Sequence, residues 1–220
     1  IDEIVDVKPD IDRVEIKGKA ILFESGIYAV LPKDMPETLA LAALDVAGAP
    51  AQVAKLARPC QSVVILGSAG KSGMLCAYEA VKRVGPTGTV IGLVRNEKEA
   101  ALLARVSDKI KVVIADATKP IEVLNAVLAA NDGKEVDIAI NCVNVQNTEM
   151  STILPVKDLG IAYFFSMATS FTKAALGAEG VGKDVTMIVG NGYTKDHAAI
   201  TLEELRESAV LREIFNELYV

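Results

Sequence analysis

A chain of 220 residues has room for one large domain or one and a half. With 51% hydrophobic and 24% charged residues it buries a real core and is not disordered. Its 23 basic and 29 acidic residues leave a net charge of −6, which argues against a protein that tracks nucleic-acid phosphates but leaves room for a nucleotide at a local site.

Ile1, not Met, opens the chain, so it is expected to be a piece of a longer polypeptide. Arg13–Lys17, Ala20–Glu24 and Ile27–Leu31 read as short strands divided by Gly18 and Gly26 and closed by Pro32. They look like the last strands of a β-rich unit, and standing alone they would expose edges and an incomplete core. From Glu37 to Arg58 the residues are mostly Ala, Leu and Val, a buried helical pattern broken near Gly48-Ala-Pro50. Asp45 and Pro50 also interrupt the apolar stretch Leu39–Ala51, so no membrane-spanning helix, and no membrane partner, is expected. No signal peptide is recognisable.

The remainder alternates. Wholly apolar runs at Ser62–Leu66, Thr89–Val94, Lys111–Ala115, Val136–Asn141, Ile161–Met167 and Val185–Val189 are what strands covered on both faces require. Helical segments near 71–84, 96–105, 119–130, 147–154 and 169–178 lie between them. The expectation is an α/β fold, a Rossmann doubly wound parallel sheet of six strands in the order 3-2-1-4-5-6. Leu202–Tyr219 reads as one amphipathic helix opened by a Thr201/Glu204 capping box. The domain boundaries expected are 1–36, 37–200 and 201–220.

After the first of these strands stands Gly67-Ser68-Ala69-Gly70-Lys71-Ser72-Gly73, followed by the apolar helix. A strand leading through glycines into a helix lets backbone N–H groups and the positive helix end meet a pyrophosphate. The spacing is G-x-x-G-x-x-G, because Ala69 stands at the second position of the commoner G-x-G-x-x-G. A Walker A reading of Gly70-Lys71-Ser72 fails, since Ile65 occupies the place of its first glycine and Asp137 begins its strand where a magnesium ligand should end it.

The second strand ends in Val94-Arg95-Asn96, without the carboxylate that usually holds an adenosine ribose. Arg95 with Asn96 could accept a ribose 2′-phosphate, or Arg95 could simply solvate a helix start. Asp116 has two readings: near an adenine ring, or an N-cap partner for the next helix. Asn141-Cys142-Val143-Asn144 follows the fourth strand, where such sheets bind ligands, with Cys142 read as pocket wall. Met167-Ala-Thr169-Ser170 could approach a nicotinamide from the fifth strand. His197 is the single imidazole and, with no second ligand at a suitable spacing, is read as a surface side chain and not a metal ligand. Lys173 is read as solvating its helix, and Gly190-Asn191-Gly192 as a plain turn. Cysteines at 60, 76 and 142 form no disulfide framework or zinc ribbon, which suits a reducing cytoplasm.

Leu44–Val53 leading into Val63–Gly73, together with Asn141–Asn147, Phe164–Phe171 and Ile188–Tyr193, resembles the medium-chain dehydrogenases. More narrowly it resembles the branch that oxidises the 3-amine of a 3,5-diaminohexanoate in lysine fermentation. The resemblance implies a nicotinamide cofactor, NAD or NADP, and a small diamino-acid substrate deaminated to 5-amino-3-oxohexanoate and ammonium. It also implies a GroES-like barrel of which residues 1–36 would be the end. No catalytic residue is identifiable, so the base is expected upstream of Ile1 and the chain alone should turn substrate over poorly. Competing expectations are a zinc-independent quinone or enoyl reductase, or a non-catalytic NAD(P)-sensing domain. A homodimer joined through the sixth strand, with no nucleic-acid partner, completes the reading.

Overall fold

A computed structural model of the protein describes residues 1–11, 13–190 and 193–220; the turn expected at Gly190-Asn191-Gly192 therefore lies partly outside the described residues. The chain divides into two compact units, Ile1–Val30 and Leu31–Val220.

In the first unit, β1 (Glu3–Lys8) pairs antiparallel with β2 (Arg13–Lys17), Lys8 opposite Arg13 and Glu3 opposite Lys17. Neither strand buries a residue, and a two-stranded ribbon of this kind is marginal by itself. β1 is an addition to the expected strands, carried by Ile4, Val5 and Val7. The strands expected at Ala20–Glu24 and Ile27–Leu31 do not form. Apolar β-formers become strands only against a partner ladder; here Gly26 N–H turns back to the Phe23 carbonyl (2.8 Å), and Ile21, Phe23, Ile27 and Val30 remain exposed.

The second unit opens with α1 (Glu37–Leu44) and α2 (Gly48–Leu56), bent 57° from one another. No single helix among the described residues is long and apolar enough to cross a membrane. Six strands follow: β3 (Ser62–Leu66), β4 (Thr89–Val94), β5 (Ile110–Ile114), β6 (Val136–Asn141), β7 (Val156–Phe164) and β8 (Thr186–Val189). All neighbours are parallel, in the order β5-β4-β3-β6-β7-β8. This is the doubly wound sheet expected from the apolar runs. The crossovers are α3 (Lys71–Val84), α4 (Glu97–Val106), α5 (Pro120–Ala130), α6 (Glu149–Ile153) and α7 (Phe171–Gly180).

Alternate side chains of the central strands feed two cores. Val63, Ile65, Ile138, Ile140 and Tyr163 pack with Val53, Met74, Ala77, Leu205 and Phe215 on one face. Val64, Leu66, Ala139 and Phe164 pack with Val123, Val127 and Ala174 on the other. Burial on both faces is why these strands read as unbroken apolar runs.

β7 departs from expectation at both ends. Its register jumps from Val136 opposite Val156 to Ile138 opposite Ile161, so the segment between bulges outward, with Leu159 at φ +63° and exposed. It ends at Phe164, not Met167, because the N–H groups of Phe165 and Ser166 both turn onto the Asn141 carbonyl (3.0 and 3.2 Å).

The C-terminal segment is two helices, α8 (His197–Glu207) and α9 (Ala209–Tyr219), not one. Ser208 leaves helical geometry at φ −111°, ψ 106°, and its hydroxyl accepts the Leu211 N–H (3.1 Å), capping α9. Thr201 caps nothing. It lies buried inside α8 and donates its hydroxyl to the Ala47 carbonyl (3.3 Å), while Glu204 is fully buried. The spacing of a capping box and that of two inward-facing residues one turn apart are the same in sequence.

Candidate functional site

The loop from β3 into α3 uses its three glycines for three different reasons. Gly67 has φ +78°, and a Cβ there would meet Val143 Cγ2 at 3.1 Å and the Cys142 carbonyl carbon at 3.2 Å. Gly73 is fixed by packing, since a Cβ would fall 2.1 Å from the Gly67 oxygen and 2.7 Å from Ser68 Cα. Gly70 is different: a Cβ would find only the Gly67 oxygen, at an ordinary 3.4 Å. Nothing in the protein's own packing therefore demands glycine at the N-cap of α3. The Gly67 and Ser68 N–H groups bind the Leu93 carbonyl (3.0 and 3.1 Å), strapping the loop to β4. The first-turn N–H groups of α3 have no intrahelical acceptor and carry the positive end of its dipole.

Above this loop, at the carboxyl ends of the strands, lies a crevice of about 400 Å³. It is lined by Gly67, Ala69 and Gly70 from the loop, Leu93 to Arg95 and Glu99 from β4 and α4, Asp116 and Ala117 after β5, and Cys142 to Val145 after β6. A crevice at this switch point of the sheet is where doubly wound folds hold dinucleotides. The space over Gly70 and the bare helix end suit a pyrophosphate.

Of the expected site residues, the structure brings Gly67, Ala69, Gly70, Arg95, Asp116, Cys142, Val143 and Asn144 into this crevice. Seven others have different placements. Ser68 is buried and donates its hydroxyl to the Ile65 carbonyl (2.6 Å). Lys71 reaches Asp45 (3.0 Å) and lies 5.2 Å from the Tyr219 ring centre. Ser72 is buried in α3, beside Gly73. Asn96 caps α4, accepting the Glu99 N–H (3.0 Å). Asn141 is fully buried; its amide donates to the Thr148 and Thr152 hydroxyls (2.8 and 2.9 Å) and accepts from Val143 N–H (3.0 Å). It shapes the following loop instead of facing a ligand. Thr169 lies beyond the end of β7 with its hydroxyl buried and without a partner, and Met167 beside it is 92% exposed.

Sequence reasoning missed Glu99. Its carboxylate takes the Arg95 N–H (3.0 Å) and side-chain Nε (2.8 Å) at the crevice wall. Burial would raise Glu99, but the bonds from Arg95 outweigh it and hold the acid below the ordinary glutamate value, while the same pairing raises Arg95. The available signal was Asn96 followed three residues later by Glu99, a capping-box spacing. Asp116 accepts from the Thr118 hydroxyl (2.7 Å) and N–H (2.9 Å), which keep its carboxyl below the usual range. It holds the turn before α5, whose N-cap is Lys119.

Elsewhere, Asp137 is engaged at the opposite end of the sheet by Lys157 (2.6 Å) and by Ser62 N–H (2.7 Å). His197 begins α8 edge-on to Tyr193 (5.3 Å between ring centres), and Lys173 donates to Asn147. No cluster of three metal-ligating side chains occurs among the described residues. A depression of about 730 Å³ between α2 and β8, lined by Gln52, Lys55, Arg83 and Tyr163, lacks the glycine loop.

Sheet order, glycine loop and crevice together define a doubly wound domain of the Rossmann type. The alcohol dehydrogenase of Aeropyrum pernix shares the fold with a TM-score of 0.62 at 20% identity, over 80% of this chain and 51% of that one. A mycobacterial protein solved with NADPH matches with a TM-score of 0.60 at 16% identity, over 87% of this chain and 58% of that one. No family model matches the chain. Along all 220 residues it is 86% identical to the L-erythro-3,5-diaminohexanoate dehydrogenase of Fusobacterium nucleatum and 71% identical to that of Acetoanaerobium sticklandii. The chain spans 64% of the length of each and corresponds to their C-terminal part.

Proposed function

We propose that this chain is the dinucleotide-binding part of an oxidoreductase that deaminates L-erythro-3,5-diaminohexanoate at C3, giving 5-amino-3-oxohexanoate and ammonium, as in lysine fermentation. Identity of 86% over the whole chain to a protein of that name carries the reading, and the relatives' dehydrogenase names with the NADPH-bound neighbour support a nicotinamide cofactor. A bound nicotinamide supplies the hydride acceptor for oxidising a C–N bond.

The chain's own groups do the holding. The first turn of α3 offers N–H donors to a pyrophosphate over Gly70, and Arg95 and Glu99 offer opposite charges to an adenosine ribose, so that both NAD and NADP find a partner. Cys142, Val143 and Asn144 form an uncharged wall on the β6 side. Three free thiols suit a reducing cytoplasm. β8, at the sheet edge with Ile188 half-buried and Val189 exposed, is the surface through which two subunits would pair.

The test is a spectrophotometric assay of the full-length protein with the diamino acid and each cofactor. Reduction of cofactor with release of one ammonium per turnover is expected. Reduction of a quinone or an enoyl thioester by NADPH, with no diamine-dependent activity, would replace this reading.

A further inference from the structure

Three thiols occur in the chain, and two of them face each other. Cys142 Sγ and Cys76 Sγ are 3.9 Å apart. Cys142 is half-buried and forms part of the crevice wall immediately after β6. Cys76 is fully buried in the second turn of α3, within the main core. Cys60, exposed and 3.0 Å from the Thr87 hydroxyl, belongs to a different region at the opposite end of the sheet. One accessible thiol backed by a second that only it can reach is the arrangement of a reactive and a resolving cysteine.

We propose that Cys142 is a site of reversible peroxide oxidation at the cofactor crevice, resolved by Cys76 into a disulfide that weakens dinucleotide binding; the second half rests on the cofactor reading above. The chemistry balances. The Cys142 thiol gives up its proton, its sulfur attacks one oxygen of hydrogen peroxide, the O–O bond breaks to give a sulfenic acid, and the departing hydroxide takes up that proton and leaves as the first water. The Cys76 thiol then loses its proton, its sulfur bonds to the Cys142 sulfur, and the sulfenic oxygen leaves as the second water. Two thiols have lost two hydrogens, and one peroxide has become two waters.

Geometry fixes which partner moves. A disulfide needs sulfurs at about 2.05 Å, so the pair must close by roughly 2 Å. Cys76 is held on every side by helix and core, whereas Cys142 begins the loop to α6. Its backbone N–H is tied to the Leu66 carbonyl (3.0 Å), so the adjustment falls on its side chain and on Val143 and Asn144. Displacing a crevice wall by an ångström or more is expected to weaken dinucleotide affinity by about tenfold. Burial and the Cys142 thiol beside it push the Cys76 thiol well above its ordinary value, which lowers its thiolate fraction and slows its attack on the sulfenic acid.

The full-length protein is treated with stoichiometric hydrogen peroxide, alkylated without reduction and digested with trypsin. Residues 72–82 and 135–157, which carry Cys76 and Cys142, should be recovered as one cross-linked species lighter by two hydrogens than the separate peptides. Dithiothreitol should separate them and restore NADH and NADPH affinity. Cys76→Ala should accumulate a dimedone-reactive sulfenic acid at Cys142, and saturating dinucleotide should slow the reaction of the native protein. Oxidation confined to Cys60, or a linked species with unaltered dinucleotide affinity, would overturn the proposal. A reduced protein that binds neither dinucleotide would instead fail the cofactor reading, and the peptide map would still decide the thiol pair.

Discussion

Gly70 and Gly73 stand three residues apart in one loop, and the structure predicts opposite consequences for the same substitution. At Gly73 a methyl group would lie 2.1 Å from a backbone oxygen and 2.7 Å from a backbone Cα, neither of which can swing aside. Gly73→Ala should therefore cost about 3 kcal/mol or more, lowering the melting temperature by roughly 6–12 °C in a domain of this size. At Gly70 the methyl meets one oxygen at 3.4 Å. Alanine is a poorer N-cap than glycine by about 0.5–1 kcal/mol, and the stiffer unfolded chain returns about 0.4–1 kcal/mol, so Gly70→Ala should melt close to the native protein. Its effect should appear in binding. If a pyrophosphate lies over the loop, the methyl displaces it from N–H donors whose bonds to a charged group are each worth about 1.5–3 kcal/mol, a loss of roughly ten- to a hundredfold in affinity. Thermal melts and fluorescence titration with NADH and NADPH on both full-length variants separate the effects. Native affinity in a folded Gly70→Ala protein would show the loop to be a structural turn, and a native melt for Gly73→Ala would remove the packing argument.

Other consequences are equally accessible. Glu99→Gln should shift cofactor preference toward NADP and Arg95→Ala toward NAD, measured as the ratio of the two dissociation constants; shifts in the same direction would show that the pair does not face the ribose. Ser208→Ala removes the cap of α9 and should cost about 1 kcal/mol, a fall of roughly 2–4 °C in melting temperature. Glu204 is buried with both carboxylate oxygens unpartnered, and burial, reinforced by Glu79, raises it well above its ordinary 4.5. Its favourable neutral form is complete below that value and is lost as the pH rises toward the raised one; Glu204→Gln should thus stabilise the protein near neutrality, and by less as the pH falls toward 4.5. Ile188→Lys at the sheet edge should convert a dimer to monomers in sedimentation, and a native protein already monomeric at micromolar concentration would refute pairing through β8.

How far the sequence reaches depends on how local the determinant is. β3, β4, β6 and α3 are readable to the residue because burial on both faces leaves no position free to be polar, and because glycine punctuates the turn between β3 and α3. Ala20–Glu24 and Ile27–Leu31 carry the same kinds of residue without a neighbouring strand, and there the local signal misleads. Thr201 and Glu204 mislead for a related reason, since periodicity records that two residues share a face but not whether solvent or Ala47 lies across from it. In the crevice, Gly67 and Gly70 were legible because the glycine spacing stands between an apolar strand and a helix. Asn141 was not, because an amide after a strand serves equally to bind a ribose or to organise its own loop, and only the hydroxyls of Thr148 and Thr152 decide between them.

The charges of the crevice are distributed unevenly, and this bears on what the domain contributes to a reaction. Arg95, Glu99 and Asp116 all lie on its β4 and β5 side, whereas Cys142, Val143, Asn144 and Val145 on the β6 side carry no formal charge. Each charged group is already engaged: Arg95 with Glu99, Asp116 with the turn at Thr118. The Arg95 side chain is nevertheless 77% exposed; at such exposure an ion pair is worth about 0–1 kcal/mol, so a ribose 2′-phosphate can take the guanidinium, or a ribose diol the carboxylate, at little expense. That makes one end of the crevice adaptable in what it recognises. The other end presents no carboxylate, imidazole or amine among the described residues, and oxidising an amine requires the ammonium proton to leave before the hydride does. On the proposed function the two demands of the reaction are thus physically separable: the crevice would position the cofactor, and a group outside its uncharged wall would take the proton.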